Sequence, residues 1–433
     1  MDLNVCLLND SFPPAIDGVA NSVINYAGII QQELGRCTVV TPKYPDAVDD
    51  YIFPVVRYPS INTTKLLRYR TGLPFDRKTL FALEQAKFDI LHSHCPFASG
   101  LLARTLRERV DVPYVFTYHT KFDIDFAVTI NSEHLRQLFT KLTINNISAV
   151  DEVWVVSEGA AQSLRSMGFE GDTILMQNGV DLPQEKTSKE RTDALRHELN
   201  LPPEVPVFLF VGRMLWYKNL RITLDALSAL SKLGHDFRFI AVGDGVDRQE
   251  MIEYAASLGL GKRCNFVGSV RDREKIRDYF SMADLFLFPS TYDTNGLVVR
   301  EAAACALPSI IVEKSCAAEG ITDGKNGLLI EESCPSMAQK LVWACTHIDQ
   351  IHQIGIDAQK SIYMSWQDAV YNAYHRYELL IDKKQRGLLA HKEVRGDTMF
   401  ELVSDWNAAV SKLASVPRVV LDKTNSIYEK FKR

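Results

Sequence analysis

The strongest constraint on the fold is an alternation of strand-length apolar runs with longer stretches of helical period, which continues through almost the whole chain. "NVCLLN", "CTVVTP", "DILHSH", "PYVFTYH", "EVWVVS" and "TILMQNG" read as strands in the first half. Between them, "GVANSVINYAGIIQQELG" and "SEGAAQSLRSMG" carry the helical period, the second opening on Ser157 as an N-cap. After a polar, proline-bearing connector at 182–205 the alternation restarts with "VFLFVGR", "FRFIAVGD", "CNFVGSV", "DLFLFP" and "PSIIVE". Two βαβ series predict an α/β protein of two doubly wound domains. Ligands of such sheets bind beyond the C-terminal ends of the strands, so two of them make an interdomain cleft.

The length of 433 residues suits two cores of ordinary size. A net charge of -5 excludes a general nucleic-acid binder, which needs a basic excess. Eight cysteines with no C-x-x-C pair fit a reducing compartment. The start "MDLNVCLLNDSFPP" lacks the basic opening and long apolar core of a signal peptide, and no apolar stretch reaches spanning length. The expected location is the cytoplasm, with peripheral contact to the inner face of the membrane allowed.

Two stretches carry anion chemistry. In "FVGRMLWYKNLRITLDAL", Arg213 sits at a strand tip and Lys218 just before a helix capped at Asn219. Two cations beside a helix N-terminus attract an anion, because the unpaired amides and the helix dipole add to the side-chain charges. Taken alone, the spacing also fits a solvated basic loop. In "TYDTNGLVVRE", a helix starting near Gly296 leaves the amides of Leu297 and Val298 pointing into the cleft, where glycine lets a phosphate come close. Asp293 and Glu301 then flank that position, as pure acceptors suited to sugar hydroxyls or as acids decorating a helix start.

In the first half, "FPPAIDGVANSV" repeats the strand, turn and helix order around Gly18, without a dinucleotide fingerprint or a P-loop. His119 ends a strand at the cleft, where its neutral and charged forms would both be accessible near pH 7. The "HSH" at His92 to His94 has no third ligand at metal spacing, and "DID" at Asp123 to Asp125 stands without the architecture that a metal-binding D-x-D needs. No metal is expected.

Together "PPAIDGVANSV", "YHT", "VVSEGAAQSLRSMGF", "NGVD", "FVGRMLWYKNL", "VGDGVDR", "FVGSVRD", "ADLFLFPSTYDTNGLVVREAAACALP" and "DGKNGLLI" fall in the order and spacing of family 4 glycosyltransferases, which have the GT-B fold. The resemblance covers roughly residues 3 to 385. It implies a retaining, metal-independent transfer of a hexose from a UDP- or GDP-sugar to a lipid or glycan acceptor. It also implies an N-terminal acceptor domain over 1–190, a nucleotide-sugar domain over 200–365 and a crossover helix over 366–385; residues 386–433 lie outside it and read as a helical extension of unknown role.

By position, the resemblance puts Arg213 and Lys218 on the diphosphate with the amides of Gly296, Leu297 and Val298. Glu301 would hold the ribose, Asp293 the donor sugar's hydroxyls, Val270 the base, Gly18 the phosphate border, and His119 the sugar near its reacting carbon. This chain has an aspartate at 293 where the family's signature has its first glutamate, which bears on which sugar is preferred. "TTKLLRYRTGLPFDRK" (63–78) sets Lys65, Arg68, Arg70, Arg77 and Lys78 among Leu, Tyr and Phe, as an interfacial segment meeting anionic lipid or as a solvated basic face, and "YHTKFDID" followed by "HLRQLFTKLTI" resembles the glycolipid-forming branch. The alternatives are a glycosyltransferase that builds oligo- or polysaccharide, a nucleotide-sugar epimerase or phosphorylase on the same scaffold, and an inactive sugar-nucleotide binder.

Overall fold

A computed structural model describes residues 2–15, 17–63, 70–130 and 132–389, without the side chains of 128 and 129. The first sheet contains β1 (Asn4–Leu8), β2 (Arg36–Pro42), β3 (Val55–Tyr58), β4 (Ile90–Ser93), β5 (Tyr114–Tyr118), β6 (Glu152–Val155) and β7 (Thr173–Leu175). The second contains β8 (Val207–Val211), β9 (Arg238–Val242), β10 (Cys264–Gly268), β11 (Leu285–Phe288), β12 (Ser309–Val312) and β13 (Leu328–Ile330). Both are wholly parallel, and most central strands are buried along their whole length, as a sheet covered by helices on both faces requires.

The spatial orders are β3-β2-β1-β4-β5-β6-β7 and β10-β9-β8-β11-β12-β13. Each sheet reverses direction once, between β1 and β4 and between β8 and β11. Those reversals open the two crevices in which doubly wound sheets hold ligands. The sequence reading locates the strands of these two sheets except β3 and β13, and it does not locate the small antiparallel pair of Ser60–Ile61 with Thr71–Gly72.

The helices that shape the cleft are α1 (Gly18–Ile29), α2 (Phe122–Thr129), α3 (Glu133–Ser148), α4 (Glu158–Ser166), α5 (Leu220–Lys232), α6 (Arg273–Met282), α7 (Leu297–Ala304) and α8 (Trp366–Gln385). Five of them open on a side-chain cap, at Asp17, Ser132, Ser157, Asp272 and Ser365. The chain crosses between domains twice. At the second crossing Gly179 meets Trp366 so closely that a Cβ would lie 2.3 Å from the Trp366 backbone nitrogen, so only glycine fits.

Helix α8 follows the second domain in sequence and packs on the first. Trp366, Val370, Tyr374, Tyr377 and Leu380 are buried with Leu3, Tyr26, Cys37 and Trp154 in one cluster. Tyr377 stacks on Trp154 at 5.3 Å, and Tyr374 accepts from the Leu3 amide at 2.9 Å while donating to the Leu34 carbonyl at 2.8 Å. Burying such side chains contributes about 1.5–3 kcal/mol each, which holds the last helix on the first sheet. The 390–433 part of the expected helical extension lies outside the described residues.

Candidate active site

The crevice between β8 and β11 gathers the residues singled out in the second domain. Strand β8 delivers Arg213 to the surface beyond its tip, and a single turn of 3-10 helix, Trp216–Lys218, turns Lys218 inward. Lys218 is 6% exposed, and its Nζ lies 2.8 Å from Asp293 Oδ1 and 3.0 Å from Oδ2. Ser290 donates to Asp293 Oδ2, and the Phe288 ring stands 5.5 Å from the ammonium. A buried lysine needs such a partner, since an unpaired charge taken out of water costs several kcal/mol. Asn219 takes the left-handed conformation at φ 60° and donates to the Pro289 carbonyl at 3.1 Å, tying the loop after β8 to the end of β11.

Gly296 begins α7 at φ 57°, and a Cβ there would lie 2.7 Å from Cα and Cβ of Ala317. Both the backbone angle and the neighbour therefore require glycine. The helix start carries no side-chain cap, which leaves the first-turn amides of Leu297 and Val298, four and five residues after Asp293, available to an anion. The corresponding turn in the first domain differs. Asp17 caps α1 by accepting from the Ala20 amide at 2.7 Å, so a carboxylate already occupies the seat an anion would take. Gly18 itself is exposed, and a Cβ there would meet none of the described atoms within 4 Å.

Glu301 lies in α7 with its carboxylate on Arg273, whose Nη2 is 2.5 Å away. Arg273 also approaches Asp181 at 3.8 Å. Burial pushes the Glu301 carboxyl up, and the Arg273 charge and hydrogen bond pull it back down. Val270 lies beyond β10, half-buried against the second core.

His119, beyond β5, is 8% exposed and pairs through Nε2 with His94 Nδ1 at 2.9 Å. Burial lowers its pKa to about 3 and lowers those of His92 and His94 as well. This overturns the expectation that its charged form is accessible near pH 7: burial desolvates the cation, and no acidic group among the described residues offsets it. His92 is spent structurally, between Tyr377 Oη at 2.5 Å and Thr117 Oγ1 at 2.7 Å. Asp123 accepts from Ser163 at 2.6 Å and Asp125 from Tyr292 at 3.0 Å, so both acids of "DID" have hydrogen-bonded partners.

Sequence reasoning missed three participants. Arg273 has no signal beyond a charged helix start, and Tyr292 none beyond its place beside Asp293. Asn295 is 5% exposed, and neither its Oδ1 nor its Nδ2 has a partner among the described residues, although it directly precedes the phosphate-sized seat at Gly296. Of the basic segment, Lys65 and Arg68 lie outside the described residues. Arg70 differs from expectation: its guanidinium donates to the Lys43 and Ser60 carbonyls and to Ser60 Oγ, so it is held by the protein. Arg77 and Lys78 are exposed, as are Leu135, Leu138 and Phe139 on α3.

Two facing Rossmann-like domains, a returning C-terminal helix and an anion seat at the second domain's switch point define the GT-B class of glycosyltransferase. Residues 16–184 match the model described as "Glycosyltransferase Family 4" and residues 191–348 the one described as "Glycosyl transferases group 1". The chain belongs to glycosyltransferase family 4 and is an enzyme of that kind.

Among relatives, the alpha-monoglucosyldiacylglycerol synthase of Acholeplasma laidlawii is 25% identical over 89% of this chain and 99% of its own. The GDP-mannose-dependent alpha-mannosyltransferase of Corynebacterium glutamicum is 26% identical over 78% of this chain and 80% of its own. Anabaena HepE, solved in complex with UDP, superposes with a TM-score of 0.70 at 18% identity, covering 87% of this chain and 100% of that one. No helix among the described residues is long and apolar enough to cross a membrane.

Proposed function

We propose that this chain is a retaining, metal-independent hexosyltransferase that moves glucose, galactose or mannose from a UDP- or GDP-sugar to a lipid acceptor of the diacylglycerol type. The observation that carries the reading is the ion pair of the buried Lys218 with the half-buried Asp293, on loops that also carry Arg213 and lead into the uncapped start of α7. Fixed cations and amides there would take up the charge that develops on a departing diphosphate as the sugar becomes oxocarbenium-like, which is electrostatic preorganisation without a protein nucleophile. Arg273 presents Glu301 to the ribose, and the neutral His119 offers the sugar a hydrogen bond without adding charge.

The lipid acceptor is supported by the names of the relatives in Acholeplasma laidlawii and Streptococcus pneumoniae, both alpha-monoglucosyldiacylglycerol synthases. It is also supported by α3, where Leu135, Leu138 and Phe139 stand exposed beside Arg136 and Lys141. A peripheral position on the inner face of the membrane follows from that face. The mannosyltransferase relative favours a second reading, in which GDP-mannose is the donor and a glycan the acceptor.

The test is a screen of UDP-glucose, UDP-galactose and GDP-mannose for nucleoside diphosphate release with lipid extracts and with oligosaccharides as acceptors, followed by mass and anomeric analysis of the product. An α-linked glycolipid is expected. A protein that neither binds a nucleotide sugar nor releases a nucleoside diphosphate would sink the reading.

A further inference from the structure

The two residues flanking Asp293 are both held by the other domain. Tyr292 donates its hydroxyl to Asp125 Oδ1 in α2 at 3.0 Å, and the Thr294 carbonyl accepts from Ser157 Oγ at 2.5 Å. Ser157 is itself the N-cap of α4, accepting from the Ala160 amide at 3.0 Å. The next two amides of that helix, Glu158 and Gly159, each donate at 2.7 Å to the carboxylate of Glu319, which comes from the second domain. A Cβ on Gly159 would lie 2.2 Å from Cys316 Sγ, so the contact is also close-packed. A carboxylate bound by two first-turn amides is favoured by charge-assisted hydrogen bonds and by the helix dipole.

We propose that Ser157 and Asp125 are positioning residues for the transfer reaction. By gripping the loop on both sides of Asp293, the first domain sets the Lys218–Asp293 pair in register, and Glu319 at the start of α4 is the lock that keeps the two domains in that arrangement. The inference rests on the function proposed above. In the enzyme so built, nucleotide binding belongs to the second domain alone, whereas turnover requires the grip of the first. The bound sugar then reacts only when the closed cleft has shut out water, which would otherwise consume the donor.

The test uses the full chain with Tyr292→Phe and Glu319→Gln, alone and combined, together with Ser157→Ala and Ser157→Thr. UDP and GDP affinities are measured by calorimetry, turnover by nucleoside diphosphate release, and shape by small-angle X-ray scattering. Expected are affinities within about threefold of the unmodified chain with turnover reduced about tenfold or more, a split that marks loss of an interaction made during reaction. Ser157→Thr, which keeps the hydroxyl, restores most of what Ser157→Ala loses. The double variant scatters as a more extended particle. Turnover and affinity falling in parallel, or turnover and shape both unchanged, would overturn the inference. If the unmodified chain neither binds UDP or GDP nor consumes a donor, the proposed function is lost, and the scattering comparison alone decides the lock.

Discussion

Arg273 at the start of α6 and Glu301 in the middle of α7 meet at 2.5 Å, although 28 residues separate them. Burial raises the Glu301 carboxyl, and the Arg273 charge and hydrogen bond offset part of that rise, with the cation drawn from a helix whose own N-terminus is capped by Asp272. Removing the cation leaves burial unopposed. Arg273→Met therefore shifts the acid limb of kcat/KM to higher pH, while Glu301→Gln removes that limb along with most of the affinity for nucleotide. A pH profile of donor turnover for the two variants checks this, and an unmoved acid limb in Arg273→Met would detach the pair from function.

Lys218 is the buried cation of the proposed anion site, where its low exposure strengthens its Coulomb interaction with a bound anion. Its replacement by alanine strips a positioned charge and leaves Asp293 without its partner. Lys218→Ala is expected to lower kcat/KM by on the order of a hundredfold or more, about 3 kcal/mol. Steady-state kinetics with the natural donor measures it, and an unchanged value excludes Lys218 from the reaction.

Asn295 illustrates stability given up near a functional centre. A buried amide without hydrogen-bond partners among the described residues costs about 1–3 kcal/mol, so an apolar residue of similar shape relieves that penalty. Asn295→Leu is expected to raise the unfolding temperature and to lower donor turnover. Thermal unfolding and kinetics run side by side settle it, since loss of stability in the variant would mean that the amide is bonded.

The buried histidines make the first domain's stability sensitive to acid. His119 has a pKa of about 3 when folded and an ordinary one near 6.5 when unfolded, so the unfolded chain takes up the proton first. Stability from the neutral ring is complete above about pH 6.5 and is lost as pH falls toward 3. His92 and His94 are displaced in the same direction. His119→Asn is expected to flatten the decline of unfolding temperature between about pH 6.5 and 4, as followed by circular dichroism. An unchanged slope would assign the acid sensitivity to other groups.

What could be read from the sequence is what is local. Gly296, Lys218 and Asn219 each sit within a few residues of the strand end that positions them, so a strand, a turn and a helix start were enough to find them. The partners that complete the site are set by distances the linear order hides. Tyr292 meets Asp125 across 167 positions, and Ser157 meets the Thr294 carbonyl across 137. The charge state of His119 was misjudged for the same reason, because its burial depends on His94 and on helices contributed by distant segments. Arg70 looked free beside other cations until the fold brought Ser60 under it.

Helix α8 closes the first core with residues made after the entire second domain. The first half of the chain therefore leaves the ribosome with Tyr26 and Trp154 uncovered, and roughly two hundred further residues, about ten to forty seconds of synthesis, pass before Tyr377 arrives to cover them. Over that interval the nascent chain exposes apolar surface that α8 covers in the finished fold. A truncation at the domain connector yields a first half that has lost part of its own interior.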